Sequence, residues 1–571
     1  QVCLLVIGVM ALSGCDFVSD SSSSSSSTAT ASDTTAPTVS STTPATDATN
    51  IDADAAITIT FNEAMLDSTL TTTNITLVDS SSTAVTSAIS IDSDSLVVTF
   101  TPASSLSYLE TYTVSLSTSI TDAAGNALAA YTWDFTTGSG TGSWNTSTNQ
   151  VSSDSYIYQP YDANVVVDKR GNAIAVWMQS DGDTDSIFAN YYTASTVSWG
   201  TATEIDAETD DTTNYYAASE PQIAIDGEGN AMVVWTQYNG TYKSIYYNLL
   251  TYSSTPSWGG ATLIETTDFT AGSPQVAMDG DGTGNAVVLW RQKDSAVSNI
   301  YSLYSNYYTK SAGTWGGAEL RESSTTYTVA APSVAMNNDG AAVAVWAQSD
   351  GNAISLYGID YVAGWDAAGA GVLLESTDLD VSINKTQVVI NDAGNAIAVW
   401  QQIDSNNKTS IYANQYSANA WAGSASRQSV ESTSTSVSTS DFSVTLDNSN
   451  NGTVLFIRDD GTTESVYANT YSSSAWGSES TIDSSAYDAS SPSVVYDLTS
   501  GDAIAVWSQS DGTASSIYSS TYSGTWSTAA AIETSTYSST NPFVASDRTA
   551  TKESVMAVWH RTVGRVYSNL Y

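Results

Sequence analysis

One motif recurs about every 55 residues through the last three quarters of the chain, and it constrains the fold more than any other feature. A run of small and branched apolar residues ends in a tryptophan, or once in a phenylalanine, at spacings of 51 to 58 residues. The eight members are Trp177, Trp235, Trp290, Trp346, Trp400, Phe456, Trp507 and Trp559. A second series alternates with them: Trp144, Trp199, Trp258, Trp315, Trp365, Trp421, Trp476 and Trp526. Such a period predicts units that pack mainly against their neighbours.

Each unit has the pattern of four short β-strands. In the unit that begins at Pro221, strand a precedes Asp226, strand b ends around Trp235, strand c surrounds Tyr246 and strand d follows Trp258. Alternating apolar residues separated by turn residues support each strand. A four-stranded unit of this length, repeated many times, is typical of a β-propeller blade. We expect the large aromatics of strand b to fill the layer between blades.

The two ends of the repeat region complement each other. The last unit stops at Tyr571 after strand c, while residues 142–151 form a strand-like segment that precedes the first strand a. Seven whole units and one split unit predict eight four-stranded blades, with seven as the alternative count. The N-terminal strand would close the ring and cover the open edge of the last blade.

The first 36 residues have the pattern of a targeting signal and a linker rather than that of a folded domain. Residues 1–14 contain a short apolar run of signal-peptide type, which ends in Leu12-Ser13-Gly14 before Cys15. This ending resembles the lipobox of bacterial lipoproteins. The resemblance implies cleavage before Cys15, acylation of that residue and anchoring in a lipid bilayer. We expect the outer membrane or cell surface as its location rather than the inner membrane. Residues 15–36 are rich in Ser and Thr, which predicts a flexible tether.

Residues 37–138 alternate apolar and polar residues in several short runs, which predicts a β-sandwich. Five ordered pieces also resemble the SbsA-type bacterial Ig-like family: Pro37–Val39, Phe61–Met65, Leu109–Val114, Asp122–Leu128 and Trp133–Thr137. The resemblance implies a spacer or adhesion module without catalytic residues. We interpret Glu63 and Asp122 as turn and surface residues rather than metal ligands. The predicted fold class is therefore all-β, with an Ig-like sandwich at 37–138 and a β-propeller at 139–571.

The charge balance excludes several classes of function. The chain has 15 Lys and Arg against 59 Asp and Glu, a net charge of −44, which argues against nucleic-acid binding. A single histidine, His560, excludes multi-histidine metal sites, and no catalytic serine, zinc or redox motif is present. We predict no catalytic residue, no cofactor and no metal, with structural calcium left open at the acidic turns 181–185 and 279–285.

The positions that break the repeat are the candidate binding residues. Two places after the strand b aromatic, six units have Gln, whereas Arg458 and Arg561 replace it in the sixth and eighth units. We expect these arginines to be exposed at the face that carries the b–c and d–a loops, where they could clamp a carboxylate or simply be ion-paired. Tyr487 and Tyr537, on two d–a loops, are candidates for stacking on a glycan or for anchoring their own loops.

Three functions fit the sequence. The preferred one is a lipid-anchored, surface-exposed envelope protein that acts as a non-enzymatic binding or adhesion module for an extracellular protein or polysaccharide. The alternative is a propeller enzyme, a hydrolase or lyase that acts on acidic polysaccharide. The third is a purely structural protein of an envelope layer.

Overall fold

The computed structural model describes residues 33–571 with short gaps. The gaps are 52–55, 94, 104–105, 108–109, 138–143, 146, 154–157, 183, 195, 208–216, 254–255, 266–268, 281–282, 296–298, 323–325, 362–370, 376–378, 404–407, 432–436, 460–461, 484–486, 534 and 548–553. Cys15, the apolar run and the tether lie outside the described residues. The described chain forms two compact units, and the second is continuous from Thr136. Among the described helices, none is long and apolar enough to cross a membrane.

The N-terminal unit contains the strands β1 (Val39–Thr43), β2 (Ala48–Ile51), β3 (Ile57–Phe61), β4 (Ile75–Val78), β5 (Ser87–Ile91), β6 (Val97–Pro102), β7 (Thr111–Leu116) and β8 (Tyr131–Thr137), with a short 3₁₀ turn at Asp67–Thr69. The strands form two four-stranded sheets, in the orders β1-β3-β6-β5 and β2-β8-β7-β4. Alternate residues of β3, β6, β7 and β8 are buried, among them Ile59, Phe100, Val114 and Trp133. This period of two is what a sandwich with one core requires.

The second unit contains eight antiparallel sheets in chain order, which we number repeats 1 to 8. Their inner strands are β10 (Tyr161–Val167), β15 (Ala218–Ile225), β20 (Ala271–Met278), β25 (Val329–Met336), β29 (Val381–Ile390), β34 (Val437–Leu446), β39 (Ala489–Tyr496) and β43 (Ser539–Ser546). The second strands are β11 (Ala173–Ser180), β16 (Ala231–Tyr238), β21 (Ala286–Lys293), β26 (Ala342–Ser349), β30 (Ala396–Ile403), β35 (Gly452–Asp459), β40 (Ala503–Ser510) and β44 (Val555–Arg561). The third strands are β12 (Asp185–Thr193), β17 (Lys243–Thr251), β22 (Tyr301–Thr309), β27 (Ile354–Tyr361), β31 (Thr409–Ser417), β36 (Glu464–Ser472), β41 (Ser515–Tyr522) and β45 (Arg565–Leu570).

The outer strands are shorter than the sequence pattern predicts. In most repeats two short pieces replace strand d, and both pair with the third strand. These pieces are β13 (Ser198–Trp199), β14 (Thr203–Glu204), β18 (Ser257–Trp258), β19 (Thr262–Leu263), β23 (Thr314–Trp315), β24 (Glu319–Leu320), β28 (Val372–Leu373), β32 (Ala420–Trp421), β33 (Gln428–Ser429), β37 (Ala475–Trp476), β38 (Ser480–Thr481) and β42 (Ala530–Ala531), with a 3₁₀ turn at Ser424–Ser426. The second-series tryptophan ends the first piece, where its ring packs on a third-strand tyrosine, as Trp199 does on Tyr192 at 5.5 Å between centroids.

The second strands are buried on both faces because each lies between two neighbouring sheets. In β16, seven of eight residues are buried, and Trp235 has no exposed surface. Its ring stacks on Tyr246 of the third strand at 6.2 Å, and Trp177 stacks on Phe188 in the same way at 6.1 Å. The prediction that the first aromatic series packs the core is therefore confirmed.

The acidic turns between first and second strands are organised by hydrogen bonds within each turn. The Asp168 carboxylate accepts the backbone N–H groups of Arg170 and Asn172 at 2.8 and 2.9 Å, and the Asn172 side chain at 2.9 Å. In the turn proposed for calcium, Asp279 likewise accepts the N–H groups of Gly284 and Asn285. Turn chemistry therefore accounts for these buried carboxylates.

The first and last repeats are in contact. Strand β9 (Asn149–Gln150), from the N-terminal end of the repeat region, pairs antiparallel with β45 of repeat 8. One buried cluster joins Val165 and Trp177 of repeat 1 to Val558 of repeat 8. Inner strands of all eight repeats surround a common channel of about 380 Å³, which is lined mainly by aliphatic residues. The all-β fold is thus confirmed, and its second unit is propeller-like.

Candidate functional site

A glutamine links neighbouring repeats at one end of the second strand. In repeat 7 the indole N–H of Trp507 donates to Oε1 of Gln509 at 3.1 Å, and Nε2 of Gln509 donates to the backbone oxygen of Tyr487 at 3.2 Å. Gln509 Nε2 also donates to Asp483, which follows the outer strand of the preceding repeat, at 2.9 Å. The same Trp–Gln bond is present in repeats 1 to 5.

The acidic partners of these glutamines are largely withdrawn from water. Burial raises the pKa of Asp483, although its hydrogen bond from Gln509 acts in the opposite direction. Burial also raises the pKa of Asp206, and the neighbouring charge of Glu204 adds to this effect. Glu322 and Glu375 take the same place in repeats 3 and 4 and accept from the glutamine of the following repeat. One end of the repeat unit therefore carries a buried acid at several successive junctions.

Arg458 replaces the glutamine in repeat 6, and it is buried rather than exposed. Its guanidinium lies 3.6 Å from the ring centroid of Tyr467, and Nη1 lies 2.6 Å from Oε1 of Glu479. Burial disfavours the charge, but the hydrogen bonds to Tyr467 and Glu479 outweigh it and raise the pKa of Arg458. Because Phe456 replaces the tryptophan here, no indole N–H requires the missing glutamine oxygen.

Arg561 replaces the glutamine in repeat 8 and is also buried, so the expectation of exposed arginines is wrong for both. Its guanidinium lies 3.7 Å from the ring centroid of Tyr567, and Nη2 donates to Oε2 of Glu533 at 2.9 Å. Here the tryptophan remains. Among the described residues, the fully buried indole N–H of Trp559 has no acceptor. A guanidinium cannot accept a hydrogen bond, and an unpaired buried donor costs about 1–3 kcal/mol.

Repeat 8 contains an open cavity of about 820 Å³ beside this arginine. Its hairpin between second and third strands is short: Trp559 pairs with Tyr567, whereas Trp177 pairs with Phe188 in repeat 1. The cavity brings together residues of the last two repeats and the N-terminal segment: Trp144, Glu533, Tyr537, Arg561, Arg565 and Tyr567. We name these six residues the repeat-8 pocket. Its volume lies within the usual range for small-ligand sites.

Three polar atoms of the repeat-8 pocket are buried without a hydrogen-bond partner among the described residues. They are the indole nitrogen of Trp144, Oε1 of Glu533 and Nε of Arg561. Buried polar atoms are almost always paired in native proteins, so these three atoms can pair with a polar ligand. The indole nitrogens of Trp315, Trp421 and Trp476, at the position of Trp144 in other repeats, are also buried without a partner among the described residues, so the Trp144 donor is not specific to this pocket. The nitrogens of Trp144 and Arg561 are hydrogen-bond donors, and the oxygen of Glu533 is an acceptor.

The sequence candidates separate into two groups. Arg561 and Tyr537 lie together in the repeat-8 pocket, and Tyr537 is 56% exposed. Arg458 and Tyr487 do not line it. The Tyr487 hydroxyl lies 2.7 Å from where a Cβ on Gly512 of the adjacent hairpin would stand, and Tyr487 is 48% exposed. Sequence reasoning missed Trp144, Glu533 and Arg565, although the short hairpin of repeat 8 is visible in the spacing.

In the N-terminal unit, ligand atoms of Asp33, Glu63 and Asp122 lie within 4.8 Å of one another. Asp122 accepts the backbone N–H groups of Ala124 and Asn126, both at 2.8 Å, and the Asn126 side chain. These hydrogen bonds, that of the Asn126 side chain above all, lower the pKa of Asp122. The turn role predicted for Asp122 accounts for these contacts, but the prediction that it is a surface residue is wrong, because it is 2% exposed.

Comparison with known proteins identifies the N-terminal unit. Residues 33–137 match the family model described as a bacterial Ig-like domain, which confirms the predicted resemblance over nearly the same residues. No curated protein matches the sequence. Bacterial Ig-like domains of this family occur in surface proteins.

Several solved structures resemble the chain at low identity. A polysaccharide lyase, an ulvan lyase, is 9% identical with a TM-score of 0.42, and the match covers 65% of this chain and 95% of the lyase. The Hadza microbial sialidase Hz136 is 9% identical with a TM-score of 0.36, and the match covers 83% of this chain and 75% of the sialidase. The β-propeller domain of the Trilobed protease from Pyrococcus furiosus is 10% identical with a TM-score of 0.37, and the match covers 66% of this chain and 98% of that domain.

Likeness at this level assigns no activity to the chain. It does correct one prediction, that the protein is not an enzyme. Sialidases and a polysaccharide lyase are among the structures that the chain resembles, so the lack of a recognisable catalytic motif does not exclude catalysis.

Proposed function

We propose that this is a lipid-anchored protein of the bacterial cell surface whose repeat region binds an acidic extracellular polysaccharide in the repeat-8 pocket. The observation that carries the proposal is the replacement of glutamine by Arg561. That residue leaves the Trp559 N–H unpaired, and it does so at the cavity. A local rule broken at a cost in stability is characteristic of functional positions.

The proposal includes a closed ring of eight blades. The pairing of β9 with β45, the mixed core of repeats 1 and 8, and the common channel support closure. In addition, the backbone N–H of Ala163 in repeat 1 donates to Nε2 of His560 in repeat 8 at 3.1 Å. Closure matters for the site, because Trp144 reaches the repeat-8 pocket only through the segment that contains β9.

The chemistry of the pocket favours a sugar that carries a carboxylate. Sugar hydroxyls both donate and accept, which suits the unpaired atoms of Trp144, Glu533 and Arg561. Tyr537 offers an exposed ring on which a sugar face can stack. With a net charge of −44, the protein repels anions at long range, so an acidic ligand needs a local positive focus. The repeat-8 pocket has a small excess of positive charge, because two arginines line it against one carboxylate, Glu533.

The test is calorimetric titration with oligosaccharides of glucuronic or galacturonic acid, beside neutral oligomers of the same length. Arg561→Gln should weaken binding of the acidic oligomers about ten-fold or more, the range for a charged hydrogen bond. Tyr537→Ala should weaken both kinds. Arg458→Gln is the matched control, because it makes the same replacement in repeat 6, outside the pocket. Equal affinity of all variants, or equal loss with Arg458→Gln, would exclude this pocket as the site.

A second candidate function is cleavage of the bound polysaccharide, as a hydrolase or lyase. Glu533 favours it, because this buried carboxylate lines the repeat-8 pocket beside Arg561. Incubation with the same acidic polymers should then yield new reducing ends, or unsaturated uronates that absorb ultraviolet light. Glu533→Gln should abolish product while binding persists. Binding without product from any of the polymers would exclude cleavage and leave binding as the proposed function.

A further inference from the structure

The inner strand of every repeat carries a β-bulge near its first residue, at one end of the channel. In repeats 1 and 2 the bulged residues, Asp162 and Glu220, have the left-handed backbone conformation, with φ of 51° and 58°. The same conformation recurs at Ser273, Ala331, Ser491 and Asn541. Bulges re-aim side chains and concentrate beside functional sites. Four of these residues, Asp162, Glu220, Ser273 and Ala331, line the mouth of the channel.

Two neighbouring repeats depart from this pattern. In repeats 5 and 6 the inner strand advances five residues while the second strand advances two. These inner segments run from Val381 to Thr386 and from Val437 to Phe442. In repeat 1 the inner strand advances three residues while the second strand advances two. The longer bulge of repeat 5 places Lys385 at the mouth. The asymmetry is therefore local to one side of the channel.

The mouth is a cavity of about 520 Å³ that is lined by charges of opposite sign. Asp162 and Glu220 of repeats 1 and 2 and Lys385 of repeat 5 all line it. Amide side chains line the same cavity, including Asn164, Gln222, Gln275 and Gln387. None of these residues belongs to the repeat-8 pocket.

Both charged groups are in settings that favour an ionic ligand. The walls of the mouth raise the pKa of Asp162 by desolvation, and the charge of Glu220 adds to this, so a cation placed there would be stabilised. The Lys385 ammonium lies 5.1 Å from the ring centroid of Phe442 and forms no ion pair with the described residues. Burial lowers the pKa of Lys385, although the negative charge of Asp441 acts in the opposite direction. An anionic partner at Lys385 would therefore be stabilised as well.

We infer that the channel mouth binds a zwitterion, namely a free amino acid or short peptide whose carboxylate contacts Lys385 and whose primary amine contacts Asp162 and Glu220. The volume of the mouth fits a ligand of this size. The amide side chains that line the same cavity can form hydrogen bonds with the peptide group of such a ligand. This site is separate from the polysaccharide pocket, and it does not depend on the function proposed for that pocket.

The experiment is calorimetric titration of the purified protein with three probes: alanyl-alanine, its N-acetyl derivative and its C-terminal amide. Alanyl-alanine should bind at least about ten-fold more tightly than either blocked form, since each lacks one charge-assisted hydrogen bond. In Lys385→Met the free dipeptide and its amide should bind equally. In Asp162→Asn and Glu220→Gln the free dipeptide and its N-acetyl form should become equal. Asn suits position 162 because it tolerates the left-handed conformation.

Two controls make the result decisive. Lys243→Met removes an exposed lysine of strand β17 and should leave all three affinities unchanged. Arg561→Gln should also leave them unchanged, which separates this inference from the polysaccharide proposal. Unfolding temperatures would verify that each variant is folded. Equal binding of the three probes, or no heat from the free dipeptide at millimolar concentration, would overturn the inference.

Discussion

The single histidine predicts a pH-dependent weakness at the junction of repeats 8 and 1. His560 is 5% exposed, and its Nε2 accepts the backbone N–H of Ala163 at 3.1 Å. An imidazole that accepts at Nε2 carries its proton on Nδ1 and is neutral. Burial lowers the pKa of His560 from 6.5 to about 4. The folded protein therefore resists a proton that the unfolded chain takes up near pH 6.5.

The sign and size follow from proton linkage. Between pH 6.5 and 4 the unfolded state binds more protons, so stability is full above this window and is lost as the pH falls through it. A shift of this size corresponds to about 3 kcal/mol over the whole window, and about 2 kcal/mol is lost between pH 7 and pH 5. Other groups titrate in the same range. Asp206, with a raised pKa, contributes with the opposite sign, so only a comparison with a variant isolates the histidine.

The matched variant is His560→Gln, which can keep an acceptor near the Ala163 N–H but cannot titrate. Urea unfolding would be followed by tryptophan fluorescence, which reports on the repeats because fifteen of the sixteen tryptophans lie beyond residue 138. The difference in unfolding free energy between parent and variant should change by about 2 kcal/mol from pH 7 to pH 5, with the parent losing more. A difference that stays constant across this range would refute the assigned burial and neutrality of His560.

Three further predictions concern other parts of the chain. Arg561→Gln should preserve or raise the unfolding temperature of the repeats, because glutamine can accept a hydrogen bond from Trp559 and donate one to Glu533. Arg561→Met should lower the free energy of unfolding by about 3–5 kcal/mol, because it leaves Glu533 unpaired. A destabilised Gln variant would contradict this reasoning. Deleting residues 139–152 should uncover the edge of β45 and cause aggregation or a lower midpoint in thermal unfolding, and parent-like stability would place the ring closure elsewhere. Cys15→Ser should abolish labelling by a palmitate analogue and release the protein into soluble fractions, and an unlabelled parent would exclude the lipid anchor.

The sequence predicts the repeated parts of this protein well and the exceptions poorly. Period and alternation are enough to find the eight sheets, because the aromatic residue at the position of Trp235 is buried in every repeat. The burial of Arg458 was not predictable in this way. Its ion-pair partner, Glu479, is 21 positions away on the outer side of the sheet, and its stacking partner, Tyr467, lies on the third strand. The six repeats that keep glutamine at this position offer no precedent for a guanidinium there.

The repeat itself shows why position 561 differs from position 458. Both arginines stack on a third-strand tyrosine and pair with a glutamate, so pairing alone does not distinguish them. At position 458 the neighbouring aromatic is Phe456, which has no N–H to satisfy. At position 561 the neighbour is still Trp559, and its donor stays unpaired among the described residues. Glutamine would satisfy that donor and also reach Glu533, as Gln402 reaches Glu375 in repeat 5 at 3.1 Å. Stability therefore favours glutamine at position 561, and the arginine there is better explained by a ligand in the adjoining cavity than by folding.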